Sequence, residues 1–135
     1  LEPEVGAETF SLEYLQTVTS LRERPRAVVS LRCGEEVLDG TATGDGPVDA
    51  VCNAIRKITG TPSRMVDYRI AAITGGTDAQ GSVSLTLEEV PFRSVGRASG
   101  PDIIVASAEA YIMALNILEQ KKSSARISSV SVTQP

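Results

Sequence analysis

The spacing of apolar residues runs through one series of periods twice, and this duplication constrains the fold more than any single motif. Between Phe10 and Thr19 the apolar positions Phe10, Leu12 and Tyr14 alternate, marking a strand face. Ala27, Val29, Leu31 and Cys33 alternate again between Arg26 and Cys33. Gly34-Glu35 then offers a turn, and Glu36 to Thr43 reads as the returning arm of a hairpin. The period lengthens next: Val48, Val51, Cys52, Ile55 and Ile58 fall on one side of a helix, which Gly60 and Pro62 stop. In the second half Met65 to Thr74 is strand-like, and Val83, Leu85 and Leu87 alternate with polar neighbours. Pro91 permits a turn, and Phe92 to Ala98 returns. Ile104, Ala108, Tyr111, Ile112, Leu115 and Leu118 then make a long amphipathic helix ending near Lys121-Lys122.

The order strand-strand-strand-helix, twice, predicts an α+β fold of two βββα units related by internal pseudo-symmetry. A single unit buries one sheet face, so the two are expected to pack together. The joints match as well. Gly46-Pro47 opens the first helix and Gly100-Pro101 the second, 54 residues later. Proline at the first helical position wastes no hydrogen bond, and Asp45 and Ser99 stand where caps are placed. The expected organisation is an acidic linker over residues 1–9 and a folded domain over 10–121, divided into unit one (10–60) and unit two (61–121). A Ser-rich, loosely ordered tail is expected over 122–135. The opening Leu1-Glu2-Pro3-Glu4 has no initiator Met and no basic apolar leader, and reads as cut from a longer chain.

Residue usage narrows the function. Among 135 residues there is no His, which excludes Ser-His-Asp and Cys-His nucleophiles and His-based zinc sites. With no Trp and 4% aromatics, stacking platforms for bases or sugars are not expected. A net charge of −4 argues against nucleic acid as a partner. No window holds eighteen uninterrupted apolar residues, so no membrane span is expected. Cys33 and Cys52 are too few for a disulfide scaffold and fit a reducing, cytoplasmic setting; both sit on apolar faces and read as packing residues. The carboxylates are scattered without a cation-binding ladder. Gly75-Gly76-Thr77-Asp78-Ala79-Gln80-Gly81 lacks the Lys and Ser/Thr of a phosphate loop and reads as a loop between strands. Arg22 to Arg26 is a solvated mixed-charge loop, and Lys121 and Lys122 complement a helix C-terminus. Neither a catalytic nor a metal-binding residue is expected, so the default is a binding or regulatory module. Its most informative features are the two helix N-termini at Gly46 and Gly100, whose free amides attract carboxylate.

Three ordered motifs add a family resemblance. Gly44-Asp45-Gly46-Pro47-Val48-Asp49-Ala50-Val51, then Gly76-Thr77-Asp78-Ala79-Gln80-Gly81, then Asp102-Ile103-Ile104-Val105-Ala106-Ser107 with Ala110-Tyr111 and Ala114-Leu115-Asn116, resemble the C-terminal regulatory domain of 2-isopropylmalate synthase. The same domain occurs in citramalate synthases. The likeness spans roughly Phe10 to Leu118. It implies a homodimerising domain that binds leucine, or isoleucine in a citramalate synthase, and inhibits an N-terminal catalytic barrel. That barrel condenses acetyl-CoA with 2-oxoisovalerate or pyruvate on a divalent metal held by an Asp and two His, and this chain has no His. No cofactor is therefore expected in this domain. Carried over by position, the resemblance implies an effector pocket of Asp45, Val48, Met65, Tyr68, Ala72, Ala79, Gly81, Pro101 and Ile103. Tyr68 and Ala72, four apart, share a strand face; Met65 joins them only if the strand carries a bulge or starts beyond it. A third expectation from a different class is a dimerisation module without an effector.

Overall fold

The computed structural model describes residues 9–73 and 80–133. Two three-stranded antiparallel sheets are each followed by a helix. The first has β1 (Phe10–Val18), β2 (Arg26–Cys33) and β3 (Glu36–Thr43), then α1 (Pro47–Thr59). The second has β4 (Arg64–Ile73), β5 (Gln80–Glu89) and β6 (Phe92–Gly100), then α2 (Ile103–Thr133). The expected α+β plan of two βββα units is the observed one.

Period-two alternation sets which face each sheet buries. Ala27, Val29 and Leu31 of β2 and Val83, Leu85 and Leu87 of β5 have no exposed surface at all. They meet the buried stripes of the helices, Ala50, Val51, Ala54 and Ile55 from α1 and Ala110, Tyr111, Ala114, Leu115 and Leu118 from α2. Each sheet lays equivalent rows across its inner face: Leu15–Val29–Gly40 in unit one corresponds to Tyr68–Leu85–Gly96 in unit two. The two middle-row glycines let the helices approach closely. A Cβ on Gly96 would overlap the Ala110 carbonyl oxygen, and one on Gly40 would stand 2.5 Å from Ile58 Cγ1.

Both first strands carry a bulge at the same place, between Leu12 and Tyr14 in β1 and between Met65 and Asp67 in β4. A bulge inserts one residue and reverses the faces beyond it. Tyr14 consequently does not share a face with Phe10 and Leu12, as unbroken alternation predicts. It is half exposed on the outer face, and Leu15 takes the inner position. The matching bulge at Val66 puts Met65 and Tyr68 on the same, core-packed face.

The helix starts differ from the expected matched pair. α1 opens at Pro47 behind an extended Gly46 that has no side-chain cap, and Gly60, left-handed at φ 66°, closes it with an N–H to Arg56 O bond. Asp45 does not cap; its backbone N–H instead donates to Asp49 Oδ2 at 2.8 Å. In unit two the strand β6 runs through Gly100, so Pro101 lies before the helix and Ser99 stays in the strand. Asp102 is the cap, its Oδ1 accepting from the amides of Ile104 (2.9 Å) and Val105 (3.3 Å). The helices therefore begin 56 residues apart, at Pro47 and Ile103.

α2 also continues past Lys121-Lys122 to Thr133. No Gly or Pro interrupts residues 103–133, and Lys122 is tied to Glu119 one turn back and to Glu89 across the chain. The polar composition of the segment reads as a tail because composition ignores such anchors. By length and composition the stretch Ile103–Ile127 is apolar enough to cross a bilayer. Its apolar stripe, however, is spent on β5, β6, β1 and α1.

Candidate functional site

The expected effector residues fall into two clusters. At the start of α1, Gly44 is buried and held by its N–H to Pro25 O at 3.0 Å. Only glycine fits there, since a Cβ would overlap the Ala50 nitrogen. Asp45 points outward, 92% exposed, and pairs with Arg24 at 2.9 Å. Val48, three positions on, packs against the core. Because Pro47 has no N–H and Gly46 no side-chain cap, this end of α1 presents open amides to an anion.

The second cluster lies across unit two. Ala72 pairs with Gly81, and Gly81 with Gly100, so three small residues make one row at the end of the sheet. Ile103, the first residue of α2, lies on Gly81 so closely that a Cβ there would overlap its Cδ1. Further along the same face Tyr68 packs on the core, and its hydroxyl shares a hydrogen bond with Ser107 Oγ at 2.7 Å. Met65 is half-buried at the far end of this face, opposite Leu87. Pro101 is exposed beside the row. Ala79 lies outside the described residues. Thus Met65, Tyr68, Ala72, Gly81, Gly100 and Ile103 share one face, whereas Asp45, Gly46 and Val48 belong to the other unit. The hydrogen bonds of each cluster stay within it: Arg24–Asp45–Asp49 in one, Tyr68–Ser107 and Asp102 with its two amides in the other.

The two helix starts are not equivalent anion sites. Asp102 takes the Ile104 and Val105 amides of α2, whereas among the described residues no side chain caps α1, although the Asp49 carboxylate lies in its first turn. Two grooves run along the flank of α2, one between Phe10, Leu12, Ile112 and Met113, the other beside Phe92, Ile117 and Ile127; none of the expected effector residues lines either.

Other candidate chemistry is quiet. Burial pushes the Cys52 thiol up to about 12, which leaves it protonated and unreactive near neutral pH. Burial likewise raises the Tyr111 hydroxyl, which faces Arg56 without closing a hydrogen bond. At the surface a hydrogen bond from Arg32 holds the Glu13 carboxyl below its ordinary range, and one from Arg93 does the same for Glu88. Among the described residues no group of three or more His, Cys, Asp or Glu side chains could hold a metal ion.

Three residues escaped the sequence reading. Asp102, Ser107 and Asn116 all lie inside the motif that carries the resemblance, yet none was singled out. Ser107 had a readable signal, being a polar residue in an otherwise apolar helical stripe. Asn116 clamps the edge of β1, accepting from Phe10 N at 2.8 Å and donating to Phe10 O at 3.0 Å. No local pattern announces a contact across so much of the chain.

Comparison with known proteins matches this geometry to a family. Residues 2–119 match the family model of the LeuA allosteric (dimerisation) domain. The 2-isopropylmalate synthase of Heliobacterium modesticaldum is 49% identical over 109 residues, covering 81% of this chain and 21% of that protein. The 2-isopropylmalate synthase of Sediminispirochaeta smaragdinae is 48% identical over 115 residues, 84% and 22% of the two chains. That of Syntrophus aciditrophicus is 44% identical over 112 residues, 83% and 22%. The chain thus spans about a fifth of the length of these relatives. It belongs to the LeuA allosteric (dimerisation) domain family.

Proposed function

We propose that this chain is the feedback-regulatory domain of a 2-isopropylmalate synthase, that it binds leucine, and that it works as a homodimer attached to a catalytic barrel. Catalysis belongs to that barrel, with its divalent metal and acetyl-CoA; this domain carries the control. The observation that supports the reading best is the half-open apolar face of unit two, where Ala72, Gly81 and Gly100 form a row of small residues under Ile103. A branched side chain fits against small residues flanked by Tyr68 and Ile103. Burying a leucine side chain contributes about 1.5–3 kcal/mol. The uncapped start of α1 supplies amides for the carboxylate, and exposed Asp45 supplies a partner for the ammonium once Arg24 releases it. A coupling of about 1–3 kcal/mol between this site and a distant barrel is enough to inhibit 5- to 150-fold.

Calorimetric titration of the chain with leucine and isoleucine, alongside sedimentation, tests the reading. Leucine binding to a dimer is the expected result. Preference for isoleucine would transfer the domain to a citramalate synthase, and a dimer giving no heat with either amino acid would leave a dimerisation module only.

A further inference from the structure

We infer that Ser107 is a positioning residue of the effector site, and that its bond to Tyr68 makes unit two the half of the duplicated domain that discriminates among branched amino acids. The inference rests on the effector reading above. Its warrant is a comparison inside the molecule. Leu15 and Tyr68 hold equivalent places, each opposite the central strand in the row that ends at the helix-contacting glycine. Val51 and Ser107 are likewise the fifth residue of their helices, and both are fully buried. Unit one fills these places with two apolar side chains, so the fold itself does not require hydroxyls there. Unit two fills them with a hydroxyl pair, which costs desolvation and is tolerated because each group satisfies the other at 2.7 Å.

The position of the pair gives it a task. Beyond Tyr68 the inner face of β4 is uncovered: Ile70 is 53% exposed although it lies opposite fully buried Val83, and Ala72 is exposed as well. The Tyr68 ring stands between the packed core and the small-residue row, and its hydroxyl is tethered to α2. A tethered ring fixes the depth offered to an aliphatic side chain, whereas a free ring yields to whichever isomer enters. Methyl placement in an apolar pocket is worth about 10- to 200-fold in discrimination, and only when the walls hold still.

The test is calorimetric titration of the chain with leucine and with isoleucine, for wild type, Ser107→Ala, Tyr68→Phe, their combination, and the double replacement Tyr68→Leu with Ser107→Val that installs the pair of unit one. Ser107→Ala and Tyr68→Phe are each expected to weaken leucine binding about 3- to 10-fold and to narrow the leucine-to-isoleucine ratio. If both act through one bond, the combination does no more than either single change. The double replacement is expected to keep its melting transition and lose the preference; Ser107→Ala, with a better helix former at the same place, decides the matter should that variant fail to fold. Unchanged affinity and ratio in Ser107→Ala, or effects of the two single changes that multiply, would overturn the role of Ser107 while leaving the effector reading intact. A wild-type chain that binds neither amino acid overturns the effector reading, and the role of Ser107 with it.

Discussion

The two units share a plan but finish their edge strands differently. In unit one, β1 is closed by the helix of the other unit: Asn116 of α2 satisfies both the N–H and the carbonyl of Phe10, as a neighbouring strand would. In unit two, β4 has no such partner among the described residues, and Ile70 and Ala72 stay exposed on what should be the buried face. The two helices also differ in length and in what they pack against. α2 has 31 residues and reaches across to β1, whereas α1 has 13 and packs on β1, β2, β3 and α2. Duplication has therefore not produced two equal halves. Unit one has the end of its edge strand held by α2, and unit two leaves Ile70 and Ala72 of its edge strand exposed on the face that β5 buries.

The closeness of helix to sheet offers the sharpest test of that contrast. A Cβ on Gly96 would overlap backbone, the Ala110 carbonyl oxygen, and would lie 2.8 Å from the Ala114 nitrogen. A Cβ on Gly40 would meet chiefly the Ile58 side chain, which can rotate away, with the Ala54 oxygen at 3.2 Å. Gly96→Ala should cost about 3 kcal/mol or more and Gly40→Ala about 1–2 kcal/mol, read from urea unfolding. Equal losses would mean that both helices sit equally tightly, and that the asymmetry is confined to the edges.

Closure of β1 can be broken directly. Asn116→Ala strips two partly buried hydrogen bonds and leaves the Phe10 amide and carbonyl unpaired, at an expected cost of about 1–3 kcal/mol. Hydrogen exchange at the Phe10 amide should accelerate with it. If exchange there is unchanged while stability falls, Asn116 stabilises α2 alone and β1 needs no closing.

How much of this was legible in the sequence depended on how local the cause was. Period-two and helical spacings are written into neighbouring residues, and they marked the start of five strands and the first helix to within a residue; β5 instead begins at Gln80, three residues ahead of Val83 and inside the stretch that reads as a loop. The bulges were harder, because Glu13 and Val66 look like ordinary strand residues; placing Met65 beside Tyr68 asked for either a bulge or a later strand start, and the strand carries the bulge. The cap of α2 was misplaced because Gly100-Pro101 imitates Gly46-Pro47, while the true cap, Asp102, follows the proline. The continuation of α2 depends on Lys122 reaching Glu89, a contact made in space. Within the candidate site Tyr68, Ala72 and Gly81 came from family likeness and Gly100 from the repeated Gly-Pro joint, whereas the Tyr68–Ser107 bond required the two elements to be brought together.

Alkaline titration separates the core between the helices from the surface pairs. The folded domain holds the Cys52 proton up to about 12, against an ordinary 9.0, because burial penalises the thiolate. The unfolded chain releases that proton first. The contribution is therefore fully present below about pH 9 and is lost as pH rises toward 12, amounting to about 1 kcal/mol by pH 10. Tyr111, also raised by burial, acts in the same direction at higher pH. Cys52→Ala should flatten the first part of this decline in melting temperature. A slope identical to wild type between pH 8.5 and 10.5 would show that the thiol titrates as if exposed.

The smallest expected effect carries an informative sign. Tyr111 is the ninth residue of α2, where α1 has Ile55, so here again unit two sets a polar group against an apolar one in unit one. Unlike the Tyr68 hydroxyl, that of Tyr111 closes no hydrogen bond among the described residues, although it is fully buried near Cys52 and Arg56. The Arg56 guanidinium is engaged instead by Asn53 Oδ1 at 2.6 Å. Removing an unsatisfied buried hydroxyl removes a desolvation cost, so Tyr111→Phe should leave unfolding free energy unchanged or raise it by up to about 1 kcal/mol. A loss of similar size would mean that the hydroxyl is satisfied after all, with Arg56 as the nearest donor. The contact between the two helices would then be a polar tie between the units, and the hydroxyls of unit two would form one connected set where unit one has only packing.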